Sequence, residues 1–207
     1  MSNPQDDEVR EKTKERRKQV LDAAANCFRK EGFHGCSIAK ISKAAGMSPG
    51  HIYYHFANKE AIVEALVAQQ EHTLLELVND IAAAPPDEAL VDSLTRQTER
   101  MIEHHTSPDF VGLWLEIVAE AARNPSVAKL LQLSHKNIAA QFDEQLIKRS
   151  NTSNAEEFRK LRGKMDIIAL IFSGLSQHVV TRANEDKIDY KRLSETINGV
   201  IKHLFKT

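Results

Sequence analysis

Two histidines stand four apart at His51 and His55, a spacing that puts both imidazoles on one face of a helix and offers a metal pair. The glutamate that follows the first histidine in zinc hydrolases is missing here, and no third ligand stands nearby. The sequence therefore implies neither a metal nor a cofactor. His104 and His105 are adjacent, so a helix points them in different directions. Cys27 and Cys36 lie nine apart with no C-x-x-C pairing. Cys27 reads as a small buried hydrophobe; Cys36 sits in a turn and could be oxidised, but no basic neighbour beyond His34 favours a thiolate. Two cysteines in 207 residues make no disulfide framework, and a reducing compartment is expected. Neither a Gly-rich phosphate loop nor a nucleophile elbow occurs, so catalysis is not expected.

The chemistry that remains is basic and local. The whole chain carries a formal charge of −1, but Arg10 to Lys59 holds 11 Lys/Arg against 4 Asp/Glu, while residues 61–207 sum to −4. Such asymmetry points to a polyanion-binding module joined to a different body, or else to a solvated charged helix. Inside the basic stretch, Ile38 to Phe56 places small or apolar residues at Ile41, Ser42 and Ala45, glycine at Gly46, and apolar residues at Met47 and Ile52. That pattern fits a helix-turn-helix, in which the first helix props the second into a DNA major groove. A packing hairpin is the plainer alternative. Ser48 followed by Pro49 starts the second helix, and residues at the N-terminus of a recognition helix reach base edges. Pro49, Gly50, His51 and Tyr53 are the base-facing candidates. Gly50 removes bulk, and His51 can donate to purine N7 or O6. Tyr54 and His55 are better placed for phosphates. Lys59, in the first turn of the next helix, opposes the macrodipole unless an anion binds there, so it is expected to clamp a phosphate. Ser37 and Lys40, with Arg16, Arg17 and Lys18, extend the phosphate-contacting set, or else form a solvated face.

These residues need helices to carry them, and almost the entire chain reads as helix. Period-2 alternation and hairpin signals are missing. From about Val9 to Lys30 the apolar stripe is Val20, Leu21, Ala24, Cys27 and Phe28, with Gly32 as C-cap. Ser37 caps a helix from Ile38 to Ala45, ended by Gly46, and the helix from Pro49 ends near Phe56. Asn58 caps a long fourth helix that Pro85-Pro86 stops. Further helices are predicted at about 87–105, 109–123, 125–150, 154–184 and 190–206, with breaks at 150–154 and 184–189. The expected organisation is all-α: an N-terminal arm and three-helix unit over residues 1–58, then a connector helix and a larger bundle over 59–207. No apolar run reaches the roughly 18 residues of a membrane helix, and no signal peptide opens the chain.

Residues 17–62 resemble the TetR family of bacterial transcriptional regulators along their whole length. The likeness rests on Val20-Leu21-Asp22-Ala23-Ala24, Cys27-Phe28, Gly32-Phe33, Ser37-Ile38, Ile41, Ala45 to Gly50, Ile52-Tyr53, His55-Phe56 and Asn58-Lys59-Glu60. Ser42 stands where the family usually has alanine, and His51 where it usually has a smaller residue. The resemblance implies a cytoplasmic homodimeric regulator, a repressor that binds a palindromic operator and is released by a small molecule. The contrasting reading is a helical interaction protein or small enzyme that keeps the helix-turn-helix as packing.

For the C-terminal body, the resemblance implies pairing through the helices at 154–184 and 190–206. Apolar stripes at Met165, Ile168, Phe172, Leu175 and Val179, and at Leu193, Ile197, Val200, Ile201 and Leu204, permit it, although ordinary core gives the same periodicity. The resemblance also implies an effector pocket in this body. Its candidate lining is Met101, His105, Phe110, Trp114 and Glu116, continuing with Glu120, Phe142, Phe172 and His178. Leu115 to Pro125 resembles a stretch seen in a subset of the family. Glu116 and Glu120 share a helix face that could meet a cation, though a bridge from Glu120 to Arg123 is the simpler arrangement.

Overall fold

The computed structural model describes residues 4–150, 154–182 and 188–206. They form ten α-helices and no strand. The first four are α1 (Pro4–Gly35), α2 (Ile38–Ala45), α3 (Pro49–His55) and α4 (Lys59–Ala82). After the prolines come α5 (Leu90–Arg96), α6 (Thr98–Thr106) and α7 (Pro108–Ala121). The chain closes with α8 (Pro125–Ser150), α9 (Ala155–Thr181) and α10 (Tyr190–Lys206).

Local chemistry explains most boundaries. α1 starts earlier than its apolar stripe does. Its polar first turns are supported by pairs one turn apart, Glu8 with Lys12 at 2.6 Å and Lys18 with Asp22 at 2.6 Å. Gly32 breaks it at φ 72°, ψ 168°, where a Cβ would also crowd the Glu116 carboxylate at 3.2 Å. The helix expected at 87–105 is two helices, because the chain steps at Gln97 (φ −89°, ψ −3°) without glycine or proline to mark it. The expected breaks at 150–154 and 184–189 lie partly outside the described residues.

The chain divides into two compact units. The first comprises residues 1–70 and 112–133. Its core joins Val20, Ala24 and Phe28 of α1 to Ile41, Ile52, Phe56, Ile62, Val63 and Leu66, together with Leu113, Ile117 and Val127. Each valine, leucine, isoleucine or phenylalanine among them contributes about 1.5–3 kcal/mol of burial. The packing unit that holds the first three helices thus also takes in residues from beyond residue 58.

In this unit the structure corrects the reading of the cysteines. Cys27 and Cys36 are joined as a disulfide, their Cα atoms 5.7 Å apart. The reversal at Gly32 returns the chain toward α1, which a nine-residue spacing does not reveal.

The second unit comprises residues 71–111 and 134–207. Leu77, Ile81, Leu94, Met101 and Ile102 pack with Ile168, Phe172, Leu175, Ile197 and Ile201. Arg149 of α8 gathers the carbonyls left over where α4 ends. Its guanidinium donates to Ile81 O at 3.1 Å, Ala84 O at 3.0 Å and Glu88 O at 2.7 Å. Among the described residues, no helix is long and apolar enough to cross a membrane.

Candidate nucleic-acid interface

α2 and α3 are built as their caps dictate. Ser37 accepts from Lys40 N at 3.3 Å, and Ser48 accepts from His51 N at 3.3 Å. Between them Gly46 takes the left-handed conformation, φ 63°, ψ 32°, and Met47 N donates to Ser42 O at 3.0 Å. Ser42 is buried, and its hydroxyl donates to Met47 O, so this serine ties the turn as well as filling space. Ile41 and Ile52 are completely buried and lock both helices to the core.

With Ile52 facing in, α3 presents its other side to solvent. Pro49, Gly50, His51, Tyr53 and Tyr54 are all exposed, Tyr54 by 77% and Tyr53 by 56%. His55 is half-buried, and its pKa is lowered by desolvation, then by His51 and Arg17 nearby. A neutral imidazole at His55 has one donor and one acceptor for base edges or phosphates.

The cations around α3 are arranged less simply than their positions suggest. Lys59, expected to clamp a phosphate, also engages the chain itself. Its ammonium donates to Phe33 O at 2.8 Å and Cys36 O at 3.3 Å and lies 3.9 Å from the centre of the Phe33 ring. Lys40 donates to Gly35 O at 2.9 Å and pairs with Glu31. Both lysines satisfy carbonyls where α1 ends, the negative pole of its dipole. Ser37 stays at the surface as the cap of α2. Arg17 donates to His55 O at 3.2 Å and covers the Phe56 ring at 4.3 Å, while Gln19 donates to Ala45 O at 2.7 Å. The sequence leaves Arg17 open between a phosphate contact and a solvated face and gives Gln19 no role. Nothing local marks either contact, because the acceptors lie 38 and 26 residues away.

The candidate effector residues separate by unit. In the first, Trp114 is half-buried. Glu116 accepts from Phe33 N at 2.6 Å, and Glu120, only 2% exposed, accepts from Asn124 at 3.0 Å. Glu120 Oε2 stands 3.6 Å from Arg123 and 3.1 Å from His34 Nε2, without the alignment of a hydrogen bond in either case. In the second unit, Met101, His105, Phe110 and Phe172 are buried together. The His105 ring lies 5.2 Å from Phe110 and 5.9 Å from Phe172, its Nδ1 is 2.9 Å from Met101 O, and its own carbonyl accepts from Ser176 at 2.9 Å. Phe142 is half-buried and His178 is exposed. Among the described residues, no group of three or more His, Cys, Asp or Glu is placed to hold a metal ion.

A capped two-helix motif that exposes the N-terminal turn of its second helix defines a helix-turn-helix protein. Residues 20–66 match the profile of the bacterial regulatory proteins of the tetR family. The HTH-type transcriptional regulator UidR of Escherichia coli K12 is 34% identical over 123 residues, which cover 59% of this chain and 60% of UidR. The HTH-type transcriptional repressor AcnR of Corynebacterium diphtheriae is 29% identical over 110 residues, covering 49% of this chain and 56% of AcnR. The chain thus matches less than two thirds of the length of either relative. Among solved structures, Salmonella enterica GusR superposes with a TM-score of 0.68 at 26% identity, over 93% of this chain and 96% of GusR. Residues 20–66 thus carry the likeness to the tetR family of bacterial regulatory proteins, and the fold is similar to that of GusR. The names of these relatives describe regulators and repressors, roles without catalysis.

Proposed function

We propose that the chain is a cytoplasmic, homodimeric transcriptional repressor that binds a palindromic operator through α3 and is released by a small molecule. The observation that carries this reading is the exposed face of α3, held in place by Ile52 and by the caps at Ser48 and Gly46. Pro49, Gly50, His51 and Tyr53 read bases, while Ser37, Ser48, Tyr54 and His55 meet phosphates. Lys40 and Lys59 serve this surface from the side, by holding the end of α1.

An isolated helix-turn-helix covers too little DNA for useful specificity, and a two-fold dimer places two recognition helices about 34–36 Å apart, one turn of duplex. The dimer is proposed to form through α9 and α10. The effector is proposed to act on the second unit around Met101, His105, Phe110 and Phe172, with Phe142 and His178 on the neighbouring α8 and α9. It must bind one of two conformations better than the other to shift operator affinity. Trp114, Glu116 and Glu120 belong to the first unit, where the two carboxylates are already engaged.

The test is a gel shift of the full chain against the DNA upstream of its own gene. A sequence-dependent shift that weakens steeply with salt is expected. A shift that is equal on scrambled DNA, or absent, means that the helix-turn-helix is a packing element only.

A further inference from the structure

The basic run Arg16-Arg17-Lys18 invites a phosphate-contacting role, yet Arg16, Arg17 and their neighbour Gln19, although exposed, are engaged with acceptors of the chain itself. A helix leaves its last carbonyls without partners inside itself, and these form the negative end of its dipole. α2 and α3 both end inside the first unit, and α1 supplies a donor to each end. Gln19 Nε2 donates to Ala45 O at 2.7 Å, on the last residue of α2. Arg17 donates to His55 O at 3.2 Å, on the last residue of α3, and stacks over the Phe56 ring that follows. The Gln19 amide is itself oriented, because Arg16 donates to its Oε1 at 3.1 Å.

We infer that Arg17 and Gln19 are positioning residues that set the pose of the recognition helix, and that Arg17 is not a phosphate contact. The inference rests on the DNA-binding reading of α3. That helix has seven residues and one completely buried side chain, Ile52, near its middle. It is free to tilt about Ile52 unless both of its ends are tied. Ser48 and the Ser42–Met47 bond hold its start. Its far end is held by the buried Phe56 and by Arg17, which bonds the last carbonyl and covers that ring, and the turn that leads into it is held by Gln19. A tilt that opens the far end moves His51 and Tyr53 at the near one, and hydrogen bonds to base edges tolerate only a few tenths of an ångström. Phosphate contacts through flexible side chains tolerate more. Losing either tie therefore removes discrimination between sequences before it removes attraction to DNA.

Charge bookkeeping separates this role from a phosphate contact, because each neutralised phosphate adds about 0.9 to the slope of log K against log salt. The experiment measures binding of the full chain, wild type and variants, to the operator duplex and to a scrambled duplex of equal length across a salt series. Arg17→Ala and Gln19→Ala are each expected to weaken operator binding roughly tenfold, the order of one lost base contact. Their affinity for the scrambled duplex and their salt slopes stay at the wild-type values. Faster amide hydrogen exchange over 52–56 in the DNA-free variants reports the loosened helix. Thermal midpoints close to wild type show that the fold survives, as expected for side chains that are largely exposed. A slope shallower by about 0.9 for Arg17→Ala, with both duplexes weakened alike, makes Arg17 a phosphate ligand and overturns the inference. An unchanged ratio of operator to scrambled affinity in both variants overturns it too. A wild-type chain that cannot tell the duplexes apart overturns the DNA-binding reading itself, and this inference with it.

Discussion

Gly50 is where folding and the proposed recognition make opposite demands on one residue. A Cβ added there would meet only Ser48 Oγ, at an ordinary 3.9 Å, and alanine in a helix is favoured over glycine by about 0.5–1 kcal/mol. Gly50→Ala is therefore expected to leave the thermal midpoint unchanged or slightly higher while lowering operator affinity. Unimpaired operator binding would remove the need for close backbone approach. His104 makes a prediction of a different kind. Its pKa is pushed down to about 4 by desolvation first, then by His105 and by Arg100. The folded chain thus keeps this ring neutral at pH values where the unfolded chain, titrating near 6.5, takes up a proton. Stability is complete above pH 6.5 and is lost as pH falls toward 4. His104→Gln should flatten the fall of the thermal midpoint across that window. A profile as steep as the wild type's would place the acid sensitivity elsewhere.

At the scale of elements, this protein repeatedly ends helices with a side chain from elsewhere in the chain. Lys59 and Lys40 serve the end of α1, Gln19 that of α2, Arg17 that of α3, and Arg149 that of α4. Each cation meets the negative pole of a dipole and donates to carbonyls at or just beyond the helix end. Lys59→Ala is expected to cost about 1–3 kcal/mol of stability through its lost charged hydrogen bonds and ring contact. Chemical denaturation measures that loss, and the salt dependence of DNA binding should stay unchanged. A salt slope lower by about 0.9 at full stability would restore Lys59 to the phosphate clamp. Helix starts were legible from the sequence, because a serine cap or a proline acts on its own next turn. Ser37, Ser48 and Pro49 fall where their chemistry requires. Helix ends held from a distance were not legible, and neither was the step at Gln97, which no glycine or proline announces.

For the molecule as a whole, the open question of the sequence was which apolar stripes face a second copy. Ile168, Phe172 and Leu175 of α9, with Ile197 and Ile201 of α10, are buried within the chain. Those stripes are therefore core and not free surface. The other side of α9 carries Leu170, 70% exposed, and Ile167, 45% exposed, beside Gly174, whose missing Cβ faces open space. Val200 of α10 is also exposed, next to Gly199 with the same open surroundings. Apolar side chains interspersed with glycine let a second helix approach closely. If the proposed dimer forms there, Leu170→Glu should halve the mass measured by sedimentation and leave each monomer folded. A variant that sediments as the wild type does would exclude this face. Periodicity could not choose between core and interface, since both require one apolar stripe per helix.

What the sequence alone determined is everything written in short-range chemistry. It contains the all-helical architecture, the caps and left-handed glycine of the helix-turn-helix, and the concentration of positive charge before residue 60. Those features depend on residues within a turn or two of each other, so composition and spacing reveal them. Only the tertiary structure decided which of the basic residues bond carbonyls of the chain, that Cys27 meets Cys36, and which faces of α9 and α10 are already covered. Each of those outcomes turns on a partner brought close by folding.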